Sequence, residues 1–387
     1  MSDDRFPQEL LQATSQERYK YFREWRVVHP KLMEARLALQ QAIQFGDRQG
    51  VVHLFGCTGV GKTTLRRWME KLLMEEAAKR MRANPDHMPV VSVVMPAPDQ
   101  GPFSWRDVYV QTLYALGEPS LLVHSRSRPR TWQFVSQSKI ELAPKTPRAE
   151  LRLAMVGSLH HRDVGVLFYD DAQHLQMVTR AQRLEDQMEN LKWLSDVSET
   201  TIILIGTYDV LNLIDLSGQL ARRSTTIHFS RYHAGNSSEF QQFTNIIYAF
   251  QQQMPLKQEP NLLMHSHYLY ERTLGCVGLL KGLLERVLAT VLTKGEETAI
   301  DEKLLESCSD VRKLVAVAKE AVAGERRVYA TDGLRAQLDS LVRSASQIPK
   351  TPKSSPKTVS AKQGNRTPGQ RHAKRDPVGQ EVQDGTA

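Results

Sequence analysis

A glycine-rich loop near residue 56 carries the clearest chemical signal in this sequence. It reads Gly56-Cys57-Thr58-Gly59-Val60-Gly61-Lys62-Thr63 and matches the pattern GxxxxGK[ST]. Such glycines let backbone N–H groups converge on phosphate oxygens, and a helix that starts at the loop adds positive potential. In this interpretation Lys62 bridges β- and γ-phosphates, Thr63 places its hydroxyl on Mg²⁺, and Thr64 is a further hydroxyl at the helix start. The pattern therefore predicts a site for a nucleoside triphosphate.

Two adjacent carboxylates supply the acidic partner that such a loop needs. They are Asp170 and Asp171, which directly follow the apolar run Val164–Tyr169. Asp170 would hold Mg²⁺ through water, and Asp171 would act as general base for an attacking water. Asp171 is one methylene shorter than the Glu that many ATPases have at this position, so slow turnover is expected.

Three weaker signals follow in the order that a ring-forming ATPase requires. Thr207 ends the predicted strand Thr201–Gly206 and is a candidate to bind the attacking water or the γ-phosphate. Arg222 and Arg223 precede the last predicted strand, where arginines can act as a finger in a neighbouring subunit's site. Lys281, near the start of a long predicted helix, is a candidate to reach the γ-phosphate from a lid. A strand-end cap, a surface arginine pair and an ordinary helix lysine are the respective alternatives.

The elements that must position these residues alternate between strand and helix. The predicted strands are Val51–Phe55, Val90–Met95, Val164–Tyr169, Thr201–Gly206 and Thr225–Phe229. Apolar strands in such alternation indicate an α/β fold with a parallel sheet covered by helices on both faces. After residue 231 the pattern becomes helical, and Ser238 with Gln241 predicts a capping box that opens the first of these helices.

These patterns predict four segments. Residues 1–46 form a helical lead-in, and residues 47–231 form the nucleotide-binding α/β domain with a basic insertion at about 117–148. Residues 232–330 form a small all-helical lid domain, and residues 331–387 form a linker and a disordered basic tail.

Composition excludes several classes of protein. The chain has 387 residues, of which 41% are hydrophobic and 24% charged, as in ordinary globular proteins. No apolar run approaches the length of a membrane span, and the acidic start Met1–Arg5 is not typical of a secretory signal. Cys57, Cys276 and Cys308 lie far apart and form no metal-binding spacing, which favours a reducing cytoplasm. The histidines likewise show no metal-ligand spacing.

Positive charge is concentrated in two segments. The net charge is +8, and the Pro- and Ser-containing stretch from Gln347 to Arg375 has eight basic residues and no acidic one. The insertion His124–Arg148 has six basic residues, one acidic residue, and the aromatics Trp132 and Phe134. Basic residues mixed with aromatics suit a nucleic-acid backbone, whereas a solvated loop and a solubilising tail are the alternatives.

The order of these motifs resembles that of the AAA+ ATPases and, within them, the TniB/TnsC family of transposition regulators. The matching segments are Tyr21–Ile43, Gly56–Thr63, Asp170–Leu175 (D-D-A-Q-H-L beside that family's D-E-A-Q-H-L), Leu204–Thr207, Gln219–Arg223 and Gly275–Lys281. The likeness covers roughly residues 15–325 and leaves the tail out. Asp171 stands where that family usually has Glu, so the resemblance implies ATP binding with slow hydrolysis.

The resemblance implies a role on DNA. Proteins of that family bind ATP with Mg²⁺ and assemble as rings or filaments on duplex DNA. They link a target-selection module, often a TniQ protein and sometimes a CRISPR effector, to the transposase. Mapped onto this sequence, the DNA-contacting candidates are Arg106, Arg126, Arg128, Arg130 and Lys145.

Two other classes of protein share parts of this pattern. An AAA+ ATPase that acts on protein partners in signalling or secretion has nearly the same ATP motifs, and DNA-dependent assembly is what separates it. A small-molecule P-loop kinase needs neither an arginine pair before the last strand nor a basic tail. The basic insertion and tail favour the DNA-bound regulator.

Overall fold

The structure is a computed structural model that describes residues 5–46, 50–99, 101–118, 147–178, 181–214, 224–295, 300–330, 338–340 and 342. Internal contacts separate Met1–Ala330 from Thr331–Ala387, and every element named below belongs to the first unit. Most of the predicted basic insertion and nearly all of the predicted tail lie outside the described residues.

A parallel sheet forms the centre of the first unit. Its strands within the described residues are β1 (Val51–Phe55), β2 (Val90–Val94), β3 (Val166–Asp170), β4 (Thr201–Gly206) and β5 (Ser224–His228). They lie in the order β2-β3-β4-β1-β5, and each neighbouring pair is parallel. Parallel strands end at the same edge of a sheet, so the segments that follow β1, β3 and β4 meet there. The predicted α/β fold is confirmed.

Helices connect and follow the strands. Those before β5 are α1 (Ser15–Glu24), α2 (Pro30–Phe45), α3 (Lys62–Ala83), α4 (Trp105–Ala115), α5 (Arg148–His161), α6 (Ala181–Ser198) and α7 (Leu211–Ile214). Those after β5 are α8 (Ser237–Gln252), α9 (Ser266–Thr273), α10 (Val277–Lys294), α11 (Glu302–Ser307) and α12 (Val311–Tyr329).

Local capping explains where several helices begin. The Thr14 hydroxyl accepts from the backbone N–H of Glu17, whose carboxylate accepts from Thr14 in return, and this capping box starts α1. Pro30 occupies the first position of α2, as its fixed φ favours. The capping box predicted at Ser238 is wrong, because Asn236 caps α8 instead. The Asn236 side chain accepts from the N–H groups of Ser238 and Glu239, so the helix begins two residues earlier than predicted.

Two hydrophobic clusters stabilise the unit. The first contains the sheet and the helices packed on it, including Leu39 of α2 and Leu65 of α3. The second contains α8, α9 and α10 together with Phe22 of α1. The predicted lead-in is therefore divided, because α1 packs in the second cluster and α2 packs in the first.

Among the described residues, no helix is both long and apolar enough to cross a lipid bilayer.

Candidate functional site

The glycine-rich loop joins the end of β1 to the start of α3. Gly59 and Gly61 have φ values of +81° and +121°, which residues with a side chain rarely adopt. The N–H of Val60 donates to the carbonyl of Cys57 at 3.3 Å and closes the turn. Helix α3 begins at Lys62, so its free N–H groups point into the loop, as an anion site requires.

Lys62 lies at the mouth of this loop. Its Nζ donates to the carbonyl oxygens of Gly56 and Cys57 at 2.7 and 3.0 Å. Burial lowers the pKa of Lys62, because removal from water penalises the ammonium. A half-buried ammonium held by neutral carbonyls gains from an anionic ligand, so the position suits a phosphate group.

Thr63 and Asp170 meet where β3 ends. The Thr63 hydroxyl donates to Oδ2 of Asp170 at 3.3 Å, and Nε of Arg66 donates to the same oxygen at 3.0 Å. Asp170 is buried and its carboxylate pairs with the guanidinium of Arg66, as a buried carboxylate requires. A hydroxyl and a carboxylate are oxygen ligands of the kind that Mg²⁺ prefers. Within the described residues, no cluster of three or more His, Cys, Asp and Glu side chains offers a separate metal site.

Asp171 has an unusual backbone. Its φ and ψ of 56° and 38° lie in the left-handed region, and its N–H donates to Oδ1 of Asp170 at 3.1 Å. Left-handed non-glycine residues are uncommon and cluster at functional sites. This conformation turns the chain sharply after β3, so Asp170 belongs to the strand end and Asp171 to the turn that follows.

Gln173 connects the second carboxylate to the end of β4. Its Nε2 donates to Oδ1 of Asp171 at 3.0 Å, and its Oε1 accepts from the N–H of Thr207 at 3.3 Å. Gly206 permits this approach, because a Cβ there would lie 2.7 Å from Oε1 of Gln173. No role was predicted for Gln173 from the sequence, although this residue lies inside the D-D-A-Q-H-L segment.

Thr207 directly follows β4, which lies between β3 and β1 in the sheet. Its hydroxyl donates to Oδ2 of Asp209 at 3.2 Å and caps the next turn. The strand order places Thr207 at the same edge of the sheet as the glycine-rich loop and Asp170. Its hydroxyl is engaged in the capping role that the sequence left open as the alternative.

The start of α10 packs on the loop from the other side. The N–H of Gly278 donates to the carbonyl of Gly59 at 2.9 Å, and a Cβ at Gly278 would lie 2.5 Å from that oxygen. The Sγ atoms of Cys57 and Cys276 are 3.1 Å apart and fully buried. A glycine is therefore required where the predicted lid helix meets the loop.

A pocket of about 220 Å³ lies between the lead-in, the loop and α10. Its lining includes His29, Val60, Thr64 and Val277. Burial lowers the pKa of His29 to about 4, so its imidazole is neutral near pH 7. A mixed apolar and polar pocket that adjoins an anion site suits a flat heterocyclic base.

Lys281 lines the same pocket but points away from the loop. Its Nζ donates to the backbone carbonyl of Phe22, lies 3.4 Å from the centroid of the Phe22 ring, and pairs with Glu285 at 3.8 Å. Burial lowers its pKa to about 7. The structure thus joins Lys281 to the lead-in helix α1, and its predicted reach to a γ-phosphate stays a prediction.

Helix α12 contributes residues that no sequence motif indicated. Glu320 accepts from the N–H and the hydroxyl of Thr58 at 3.0 and 2.8 Å. Glu325 binds Arg231 through two hydrogen bonds of 2.8 and 2.9 Å and lies 3.1 Å from Nε2 of His233. These residues are spread along an ordinary amphipathic helix, so the sequence offered no spacing that could have identified them.

The predicted DNA-contacting residues are mostly untested by the structure. Arg106 lies half-buried on α4, and its Nη2 is shielded from solvent with no hydrogen-bond partner among the described residues. The other predicted contacts and the predicted arginine finger lie outside the described residues: Arg126, Arg128, Arg130, Lys145, Arg222 and Arg223.

Comparison with known proteins agrees with this architecture. Residues 45–214 match the family described as AAA domain. A search of curated proteins found no match. The parallel sheet, the phosphate loop and the paired carboxylates define the fold of an AAA+ P-loop NTPase.

Solved structures with a similar chain trace include archaeal proteins. The ORC2 protein of Aeropyrum pernix is 13% identical, with a TM-score of 0.46 over 75% of this chain and 71% of that one. A Walker-type ATPase of Pyrococcus abyssi is 14% identical, with a TM-score of 0.44 over 81% of each chain. Cdc6p of Pyrobaculum aerophilum is 15% identical, with a TM-score of 0.45 over 70% and 64%. Likeness at this level carries no information about activity.

Proposed function

We propose that this protein is an ATPase that regulates transposition by assembling on duplex target DNA. The observation that carries the nucleotide part is the meeting of Lys62, Thr63 and Asp170 at one edge of the sheet. The DNA part is supported by the basic segments of the sequence and by the resemblance of the D-D-A-Q-H-L segment to TniB/TnsC proteins.

The residues at this edge divide the work of ATP hydrolysis. The loop N–H groups and Lys62 hold the phosphates, and the pocket beside Val60 and Val277 receives the base. Thr63 and Asp170 would hold Mg²⁺, which offsets phosphate charge when bound. Asp171 takes the proton from the attacking water, which is the task of a general base.

Control of assembly follows from the subunit interface that we propose. Arg222 and Arg223 extend into the site of a neighbouring subunit and stabilise charge on the γ-phosphate. Loss of that phosphate removes their partner, so hydrolysis loosens the ring or filament. The assembled form connects a TniQ-like target selector, in some systems with a CRISPR effector, to the transposase.

DNA dependence of assembly tests this proposal. Purified protein is mixed with duplex DNA, with and without a non-hydrolysable ATP analogue, and is examined by mass photometry and negative-stain microscopy. We expect rings or filaments when both DNA and nucleotide are present. Lys62→Ala should abolish them, whereas Lys71→Ala, an exposed lysine on the same helix, should not.

Two outcomes would contradict the proposal in different ways. Assembly that ignores DNA would refute the DNA role and favour an AAA+ ATPase that acts on protein partners. Assembly that survives Lys62→Ala would refute the nucleotide site itself.

A further inference from the structure

Helix α12 places a carboxylate directly on the phosphate loop. Oε1 of Glu320 accepts the backbone N–H of Thr58 at 3.0 Å, and Oε2 accepts its hydroxyl at 2.8 Å. Thr58 is the third residue of the eight-residue loop, between Gly56 and Lys62. An N–H in such a loop is a donor for anions, so Glu320 occupies a donor that an anionic ligand would otherwise use.

The same carboxylate lies within electrostatic reach of the loop lysine. Glu320 is one of the charged groups that oppose the burial-induced fall in the pKa of Lys62. The carboxylate therefore acts on the ammonium that a phosphate would otherwise use. Glu320 and a phosphate group carry like charges, so the carboxylate repels an anionic ligand at this loop.

Two further contacts hold α12 in this position. Glu325, five residues further on, forms the paired hydrogen bonds with Arg231. Gly324 packs so closely on Tyr208 that a Cβ would lie 1.9 Å from the ring. Gly324 is four residues after Glu320, so both lie on the helix face turned towards the sheet edge. Glu320 is thus delivered by an anchored helix and is not a freely moving side chain.

We propose that Glu320 is a specificity-determining residue that weakens binding of a nucleoside triphosphate more than that of a diphosphate. This inference rests on the proposed function, because it concerns the same nucleotide site. Repulsion grows with the charge of the ligand, so the triphosphate is penalised more. Tight binding of the triphosphate then requires Glu320 to leave Thr58.

Glu320→Gln tests the charge without removing the hydrogen-bonding shape. Dissociation constants for a non-hydrolysable ATP analogue and for ADP are measured by calorimetry on the full chain. We expect the ATP analogue to bind about tenfold more tightly, which is about 1.4 kcal/mol. With Mg²⁺ present the ATP analogue and ADP carry net charges of about −2 and −1, so ADP should gain only roughly threefold, because Coulomb energy scales with charge.

Matched variants separate this effect from a general change. Glu302→Gln removes the same charge from a residue that pairs with His265 on the lid, and it should leave both constants unchanged. Glu320→Asp keeps the charge but shortens the reach, and it should give an intermediate gain. If Glu320→Gln lowers the melting temperature of the protein, Glu320→Asp replaces it as the test.

The outcomes distinguish this inference from the proposed function. Equal gains in affinity for both nucleotides, or no gain, would overturn the role of Glu320. The nucleotide site itself would still be supported if the unaltered protein binds nucleotide. Failure of the unaltered protein and of Glu320→Gln to bind either nucleotide would refute the proposed function as well.

Discussion

Two regions contribute to the candidate site and are built in different ways. The catalytic edge, which we define as Gly56–Thr63, Asp170–Gln173 and Thr207, lies at the ends of three neighbouring strands. Helix α12 reaches the same place through side chains that contact distant parts of the chain, such as Glu320 on Thr58 and Glu325 on Arg231.

The difference concerns how each region can change. Side chains of the catalytic edge are fixed by parallel strand register, by a short-range hydrogen bond from Gln173 to Asp171, and by hydrogen bonds between segments that follow different strands, such as that from Thr63 to Asp170. Much of α12 is exposed, and it is anchored by a few polar contacts, by Ala321 in the first hydrophobic cluster and by the close packing of Gly324 on Tyr208. The exposure of α12 suits the controlling role that we propose for Glu320, beside the chemical role that we propose for the edge.

The strongest test of the catalytic edge is Asp171→Asn. The amide cannot accept a proton from water, so kcat for ATP should fall at least about a hundredfold while KM changes little. Steady-state phosphate release measures both, and Asp186→Asn, an exposed aspartate on α6, is the control. If kcat is unchanged in Asp171→Asn, another residue is the general base, and the catalytic role that we propose for this edge is wrong.

A smaller effect is expected at the residue that links the strand ends. Gln173→Ala frees the Asp171 carboxylate from its donor, so kcat should fall roughly tenfold through misplacement of the base. ATP affinity should not change. Gln176→Ala is the matched control, because Gln176 lies in the same turn as Gln173 and its amide donates to the carbonyl of Asp209. Equal losses in both variants would indicate damage to the turn and not a positioning role.

The anchor of α12 should respond to pH. Burial on its own raises the pKa of Glu325, but hydrogen bonds from His233 and Arg231 outweigh it and lower this pKa to about 2 from an ordinary 4.5. The unfolded chain therefore binds more protons between these values, and the stability from Glu325, complete above 4.5, is lost as pH falls towards 2.

Glu325→Gln tests this anchor. We expect a loss of about 2 kcal/mol at pH 7, because charged hydrogen bonds are lost. Hydrogen exchange of the α12 amides measures it, and the gap between variant and parent should be narrower at pH 3. Lys319→Ala, exposed on the same helix, is the control. Protection of α12 that is unchanged at pH 7 would mean that the anchor is elsewhere.

Much of the catalytic edge could be predicted because its signals are local. Strands β1 and β4 were predicted with the residue limits observed, since short apolar runs between turn residues report burial directly. Thr63 and Asp170 were both predicted as ligands of Mg²⁺, and their hydrogen bond of 3.3 Å shows that the loop and the end of β3 lie at the same edge, which parallel strands share. The left-handed turn at Asp171 and the bridge through Gln173 were not predicted, since both depend on how β3 and β4 lie together.

The sequence by itself determined the α/β fold, the phosphate loop and the carboxylates, because each is encoded within a few neighbouring residues. Only the tertiary structure decided which residues Lys281 and Glu320 contact. Both lie on helices whose hydrophobic periodicity indicates which face is buried but does not indicate which part of the chain packs on that face. Lys281, predicted as a candidate for the γ-phosphate or as an ordinary helix lysine, contacts Phe22, and Glu320, for which no role was predicted, contacts Thr58. Helix packing across long chain separations sets such contacts, and no local pattern records them.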